Sequence, residues 1–174
     1  MACSDPPSTE LFGMSESLED QLKRAMRGLA KSVVVITTAL RGERHAMAAT
    51  AVTPLSMEPP SMLFCINRTA SAYPILLDGA GFCVNLLAIH HEPIARLCSG
   101  PLKGAARFEN DHFAMDDDGV PYLTDAQSSV TCVQDGRVPY GTHDVFFGKV
   151  KTVRIAGKIE PLVYIDGLYK GLAS

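Results

Sequence analysis

Apolar and polar positions alternate along this chain with two different periods. From Ser17 to Ala30, Leu18, Leu22, Met26 and Leu29 recur at helical spacing. Ser17 with Asp20 resembles a capping box, so the pattern predicts one amphipathic helix ahead of the core. The β-branched run Ser32 to Leu40 then reads as a strand, closed by the hairpin turn Arg41-Gly42-Glu43-Arg44. His45 to Thr53 reads as a second strand that ends at Pro54. It is rich in Ala and Thr, with Met47 and Val52 its only large apolar residues, so its small side chains leave room beside it.

Glu58-Pro59-Pro60 breaks the chain before a short buried strand, Ser61 to Ile66. Asn67-Arg68-Thr69-Ala70-Ser71 reads as a loop entering a short helix near Tyr73 to Leu77. Phe82 to Leu87 is a further strand, and His91 to Cys98 a helix that Gly100-Pro101 ends. Leu102 to Asp118 is irregular and acidic, a loop of the kind that covers a pocket, and strand character resumes at Val130 to Val133, Val145 to Ile155 and Leu162 to Ile165. Strands outnumber helices and the connections are too short for regular parallel crossovers, which predicts a mainly antiparallel barrel with helices at its edges. No G-x-G-x-x-G follows a strand, so a Rossmann site is not expected.

Composition narrows this picture. A length of 174 residues fits one domain, expected over 17–174. Residues 1–16, polar with Pro6, Pro7 and Gly13 and without the layout of a signal peptide, are expected to form a disordered lead-in to a cytoplasmic protein. Apolar residues at 47% and charged residues at 20% are ordinary globular usage and argue against a membrane protein. A net charge of −3 without a dense basic patch argues against nucleic acid. Five cysteines without C-x-x-C spacing read as free thiols in a reducing compartment. No metal is expected: His90 and His91 are adjacent and should diverge, His112 is isolated, and Asp116 to Asp118 lack the spacing of a calcium loop. With no G-x-S-x-G elbow and no cysteine beside an obvious activating base, covalent catalysis has no support.

Several blocks, in order, carry a resemblance. Met26-Arg27-Gly28-Leu29-Ala30 runs into Val33-Val34-Val35-Ile36-Thr37. His45-Ala46-Met47-Ala48-Ala49-Thr50 continues to Glu58-Pro59-Pro60. Asn67-Arg68-Thr69-Ala70-Ser71-Ala72-Tyr73-Pro74, Phe82-Cys83-Val84-Asn85, Gly141-Thr142-His143 to Gly148, and Pro161-Leu162-Val163-Tyr164 follow. Together they resemble the flavin reductase-like domain family over roughly residues 20 to 172. Ala46, Thr50 and Pro54 depart from the residues usual there.

The resemblance implies a six-stranded antiparallel split β-barrel with peripheral helices, associating as a homodimer, with flavin in a groove near the dimer interface. It implies FMN or FAD as flavin and NADH or NADPH as hydride donor, an NAD(P)H:flavin oxidoreductase of the EC 1.5.1 type, and a partner monooxygenase that receives reduced flavin. Met47, Ala48, Ala49 and Thr50 would make room for the ring and offer a hydroxyl, with Thr53 beside them. Asn67, Arg68, Thr69 and Ser71, with Ser56, would supply donors to the flavin phosphate, and His143 would lie near the nicotinamide. Two alternatives stand beside it: a protein holding FMN tightly that reduces a corrin cobalt or a ferric chelate, and a non-catalytic flavin or haem binder on the same barrel.

Overall fold

The computed structural model describes residues 16–109, 111–156 and 158–172. The expected lead-in lies outside them except for Glu16, which pairs with Arg24 at 2.9 Å. Helix α1, Leu18–Met26, starts on Ser17, whose hydroxyl accepts the Asp20 N–H at 3.1 Å and donates to the Asp20 carboxylate at 2.6 Å. The helix stops at Met26, short of the expected Ala30, and its apolar stripe is not packed on the core: Leu18, Leu22 and Met26 are all exposed.

Seven strands make the main sheet: β2 Val34–Leu40, β3 Glu43–Ala49, β4 Val52–Met57, β5 Pro60–Asn67, β6 Phe82–Leu86, β9 Ser128–Tyr140 and β10 His143–Ile155. Their order is β3-β2-β6-β9-β10-β5-β4, with every neighbour antiparallel. Strands β1 Lys31–Ser32, β11 Leu162–Ile165 and β12 Leu168–Gly171 form a second sheet, and β7 Phe113–Met115 with β8 Pro121–Leu123 a two-stranded one. Helices α2 Tyr73–Leu77 and α3 Glu92–Ser99 lie at the periphery. The mainly antiparallel reading stands, consistent with a split barrel, with seven strands rather than six in the main sheet.

Strand β2 sits between two neighbours and is buried on both faces, which is why its segment reads as an unbroken β-branched run. Val33 and Val35 pack into one cluster with Leu87, Ile94, Phe108 and Leu162, while Val34 and Ile36 face another built on Phe64, Phe82 and Phe146. The period of two thus sends alternate residues of one segment to two cores. In the second core Phe64 meets Phe82 edge-on at 4.9 Å and stacks on Phe146 at 5.7 Å. Gly148 lies where β10 shifts register, and a Cβ there would come within 2.6 Å of the Val133 carbonyl.

Two sequence readings are corrected here. The second strand breaks at Thr50-Ala51 rather than running to Thr53. Pro54 lies inside β4, because β4 is the edge of the sheet and the missing N–H is not needed there.

Candidate functional site

The break after Ala49 opens a cavity of about 440 Å³ between the end of β3, the end of β5 with its following loop, and the segment after α3. Met47, Ala48, Ala49 and Thr50 form one wall and Asn67, Thr69 and Ser71 the opposite one. Side chains twenty residues apart line one cavity here although β3 and β5 stand toward opposite edges of the sheet order, and the Ala side chains leave volume between them. A volume of this order is typical of a small-molecule site.

The polar wall is shaped from within. The Asn67 side-chain oxygen accepts the Thr69 N–H and the Thr69 hydroxyl, each at 2.9 Å, and the Ala70 N–H donates to the Asn67 carbonyl at 3.0 Å. With that oxygen committed, the Asn67 amide end remains as a donor. The helix that follows is only Tyr73–Leu77, a little over one turn, so attraction for an anion at this wall rests on side chains and turn N–H groups rather than on a helix dipole.

Four expected residues lie outside this cavity. The Arg68 guanidinium turns to Asp144, with Nε 2.7 Å from Oδ1. Ser56 closes its own turn with Glu58, accepting its N–H and donating to its carbonyl at 3.0 Å each. Thr53 faces a separate apolar hollow beside Val52 and Met62. His143 is exposed at the start of β10, opposite Asn67 in register, with Nδ1 2.9 Å from the Thr142 hydroxyl.

Two cations that the sequence reading passed over line the cavity, Lys103 and Arg107. Arg107 is 6% exposed and donates to three carbonyls, from Nε to Leu102 at 2.6 Å, Nη1 to Ala46 at 2.5 Å and Nη2 to Gly100 at 2.7 Å. Burial draws its pKa below the usual guanidinium value, yet a guanidinium keeps its charge in proteins. These bonds fasten the segment after α3 to β3 and leave positive charge in the cavity wall. The available signal was two basic residues four apart in a Gly-Ala stretch.

The residues present therefore fit a flavin nucleotide: small side chains beside an open volume for a flat ring, and hydroxyls, an amide and two cations for an anionic tail. The chain matches the family model described as flavin reductase like domain over residues 26–173. It belongs to the flavin reductase-like domain family. The reductase component of the FADH(2)-dependent resorcinol hydroxylase of Rhizobium sp. (strain MTP-10005) is 34% identical over 168 residues, 93% of this chain and 94% of that protein. The FMN reductase (NADH) RutF of Methylorubrum extorquens (strain DSM 6343 / CIP 106787 / DM4) is 38% identical over 150 residues, 86% of this chain and 73% of that protein. The solved structure of the flavin reductase PheA2 superposes with a TM-score of 0.78 at 30% identity, covering 89% of this chain and 99% of that one.

A second cluster of titratable groups departs from expectation. His90 and His91 do not diverge: a 3-10 turn brings their ring centroids to 3.9 Å, and both approach Asp125. The Ala88 N–H donates to His91 Nδ1 at 3.0 Å, which assigns the ring proton to Nε2, 3.2 Å from Asp125 Oδ1. A metal would need that same Nε2 lone pair, so this tautomer opposes coordination. Burial holds the His91 pKa below 6.5 against the pull of Asp125.

No helix among the described residues is long and apolar enough to cross a membrane.

Proposed function

We propose that this flavin reductase-family protein uses NADH or NADPH to reduce FMN or FAD and passes the reduced flavin to a partner monooxygenase, as an NAD(P)H:flavin oxidoreductase of the EC 1.5.1 type. The observation carrying the reading is the cavity that joins the Met47 to Thr50 strand end to the Asn67 to Ser71 loop. The similarity to a hydroxylase reductase component and to an NADH-dependent FMN reductase supports it.

When bound, the flavin supplies an acceptor for hydride from the nicotinamide. The chain's own work is positional: Ala48 and Ala49 leave the ring its volume, Thr50 offers a hydroxyl at the rim, and Asn67, Thr69, Ser71, Lys103 and Arg107 receive the anionic tail. The positive wall also favours the added negative charge of reduced flavin. His143, exposed and facing Asn67 across the β5–β10 register, is placed to orient the nicotinamide rather than to move a proton, since hydride transfer asks for no general acid. Arg68, held by Asp144, serves as a strut of the loop.

The active unit is a homodimer acting in the cytoplasm, with residues 17–174 as its domain. Apolar side chains exposed on α1, with Leu22 at 58%, and at the two opposite ends of the β9–β10 hairpin, with Tyr140 at 83% and Ile155 at 80%, leave apolar area that a second copy would cover. Four free thiols among the described residues, three of them buried, support a reducing compartment. Anaerobic stopped-flow absorbance with excess FMN or FAD and NADH tests the activity. Bleaching of many flavin equivalents per protein is expected, and bleaching no faster than without protein overturns the proposal.

A further inference from the structure

Helix α3 carries Ser99 and leads on to Lys103 and Arg107, so the cation-bearing wall of the flavin cavity depends on where that helix sits. The helix is pinned at both ends. At its far end Arg107 Nη2 donates to the Gly100 carbonyl at 2.7 Å. At its entry His91 and Ala88 form a reciprocal pair: the His91 N–H donates to the Ala88 carbonyl at 2.9 Å, and the Ala88 N–H donates back to His91 Nδ1 at 3.0 Å. The same turn is tied to the chain ahead of β11, where the Ile89 N–H donates to the Glu160 carbonyl at 2.9 Å and Ala88 bridges to Pro161. The His91 side chain is 2% exposed, so bulk water does not replace a partner lost there.

This pairing suits one protonation state only. A neutral ring with its proton on Nε2 accepts at Nδ1, whereas an imidazolium is a donor at both nitrogens. Protonation would set an Nδ1–H against the Ala88 N–H, two buried donors facing each other. Among the described residues, the titratable groups acting on the ring are Asp125 after β8, His90 in the same turn and His112 ahead of β7. Burial is the largest influence and disfavours the charged ring, His90 and His112 repel it when charged, and Asp125 alone favours it. The Asp125 side chain is half exposed, with Oδ1 3.2 Å from His91 Nε2, so a charged ring has a path outward.

Resting on the flavin reductase reading, we propose that His91 is the positioning residue of the cation-bearing wall: its neutral ring latches α3 through Ala88, and acid releases the latch by turning the ring toward Asp125, which weakens flavin binding. Because the folded ring holds its proton less readily than the unfolded one, the latch is whole above the usual histidine value of about 6.5 and is given up as pH falls below it.

The test follows FMN dissociation constants by fluorescence titration from pH 8 to pH 5 for the unaltered protein, His91→Asn and His91→Phe. The Asn carbonyl oxygen can accept the Ala88 N–H without titrating, whereas Phe fills the volume and accepts nothing. The FMN phosphate titrates near pH 6 as well, at about its second pKa, but it does so for every variant, and the comparison cancels it. The unaltered protein should lose about fivefold more affinity over this range than His91→Asn, and His91→Phe should be weakened about fivefold already at pH 8. Hydrogen exchange of the Ala88 amide, read on flavin-free protein and divided by its intrinsic rate at each pH, should lose protection toward pH 5 in the unaltered protein and keep it in His91→Asn. Parallel FMN profiles for those two proteins, or an Ala88 amide that stays protected to pH 5, overturn the inference; should His91→Asn not fold, the exchange of the unaltered protein decides. A failure of the flavin reading itself looks different: no form binds FMN at any pH, while Ala88 exchange still reports the latch.

Discussion

Asn85 and Asp144 are both fully buried polar side chains, and each ties together segments far apart in the chain, yet they work by different physics. Asn85, near the end of β6, donates to the Val35 carbonyl at 2.9 Å and the Thr37 hydroxyl at 3.1 Å. It accepts from the Leu123 N–H at 2.8 Å and the Ser129 hydroxyl at 2.9 Å. Its capacity is filled by neutral partners on β2, β8 and β9. Asp144, near the start of β10, takes Arg68 Nε at 2.7 Å, Arg137 Nη1 at 2.5 Å and the Tyr73 hydroxyl at 3.0 Å. Burial pushes its pKa up, but these three donors outweigh that and hold it below 3.8. The neutral hub fixes the sheet, whereas the charged hub holds a loop that lines the cavity while touching nothing in it. Rigidity of the site is thus supplied from behind the site.

Breaking the neutral hub should have the largest effect. Asn85→Leu takes the acceptor from the Leu123 N–H and one hydrogen bond each from the Val35 carbonyl and the Thr37 and Ser129 hydroxyls in the core, an expected loss of about 4 kcal/mol in urea unfolding. A loss under about 1 kcal/mol would mean that the network is not load-sharing. Ala49→Leu touches neither hub and sharpens the contrast: filling the cavity should raise the dissociation constant for FMN at least about tenfold while the melting temperature stays within about 2 °C. Equilibrium titration followed by a thermal melt separates the two outcomes. His143→Ala, one residue from the charged hub but outside it, should slow NADH oxidation about fivefold with flavin affinity kept. Unchanged steady-state kinetics would end its assignment.

The charged hub itself should give the smallest effect on binding and a distinctive one on pH. Asp144→Asn loosens the loop and should weaken flavin about threefold. Because the folded pKa of Asp144 is depressed, its contribution to stability is full above the unfolded value near 4 and lost as pH falls through the folded value. Unfolding titrations from pH 7 to pH 3 should therefore show an acid-side decline that is shallower in the variant. An identical decline would exclude Asp144 as its source.

Much of the fold was legible because local rules agreed with the tertiary outcome. The β-branched Ser32 to Leu40 run read as a strand, and Val34–Leu40 is one. Arg41-Gly42 supplied the two positive-φ residues of a hairpin turn, at 51° and 85°. Ser17 capped a helix as its spacing indicated. The Ala-rich strand end and the Asn67 to Ser71 loop were readable as two walls of one site, because the ordered blocks carried both. Lys103 and Arg107 were not readable, since a cation in an irregular segment has no periodicity to say which way it faces. Arg68 read as a ligand because its carboxylate partner lies 76 residues away.

What the sequence determined by itself was the existence of most of the longer strands, the turn at Arg41-Gly42 and the family, because these follow from side-chain period, φ preference and residues in fixed order. Which polar groups face the cavity and which face one another was decided only by the tertiary structure. Arg68 meets Asp144, and Arg107 meets the Ala46 carbonyl, through the register of β5 on β10 and the docking of the segment after α3 on β3. Those placements minimise unpaired buried charge over the whole molecule, a condition no local stretch of sequence contains.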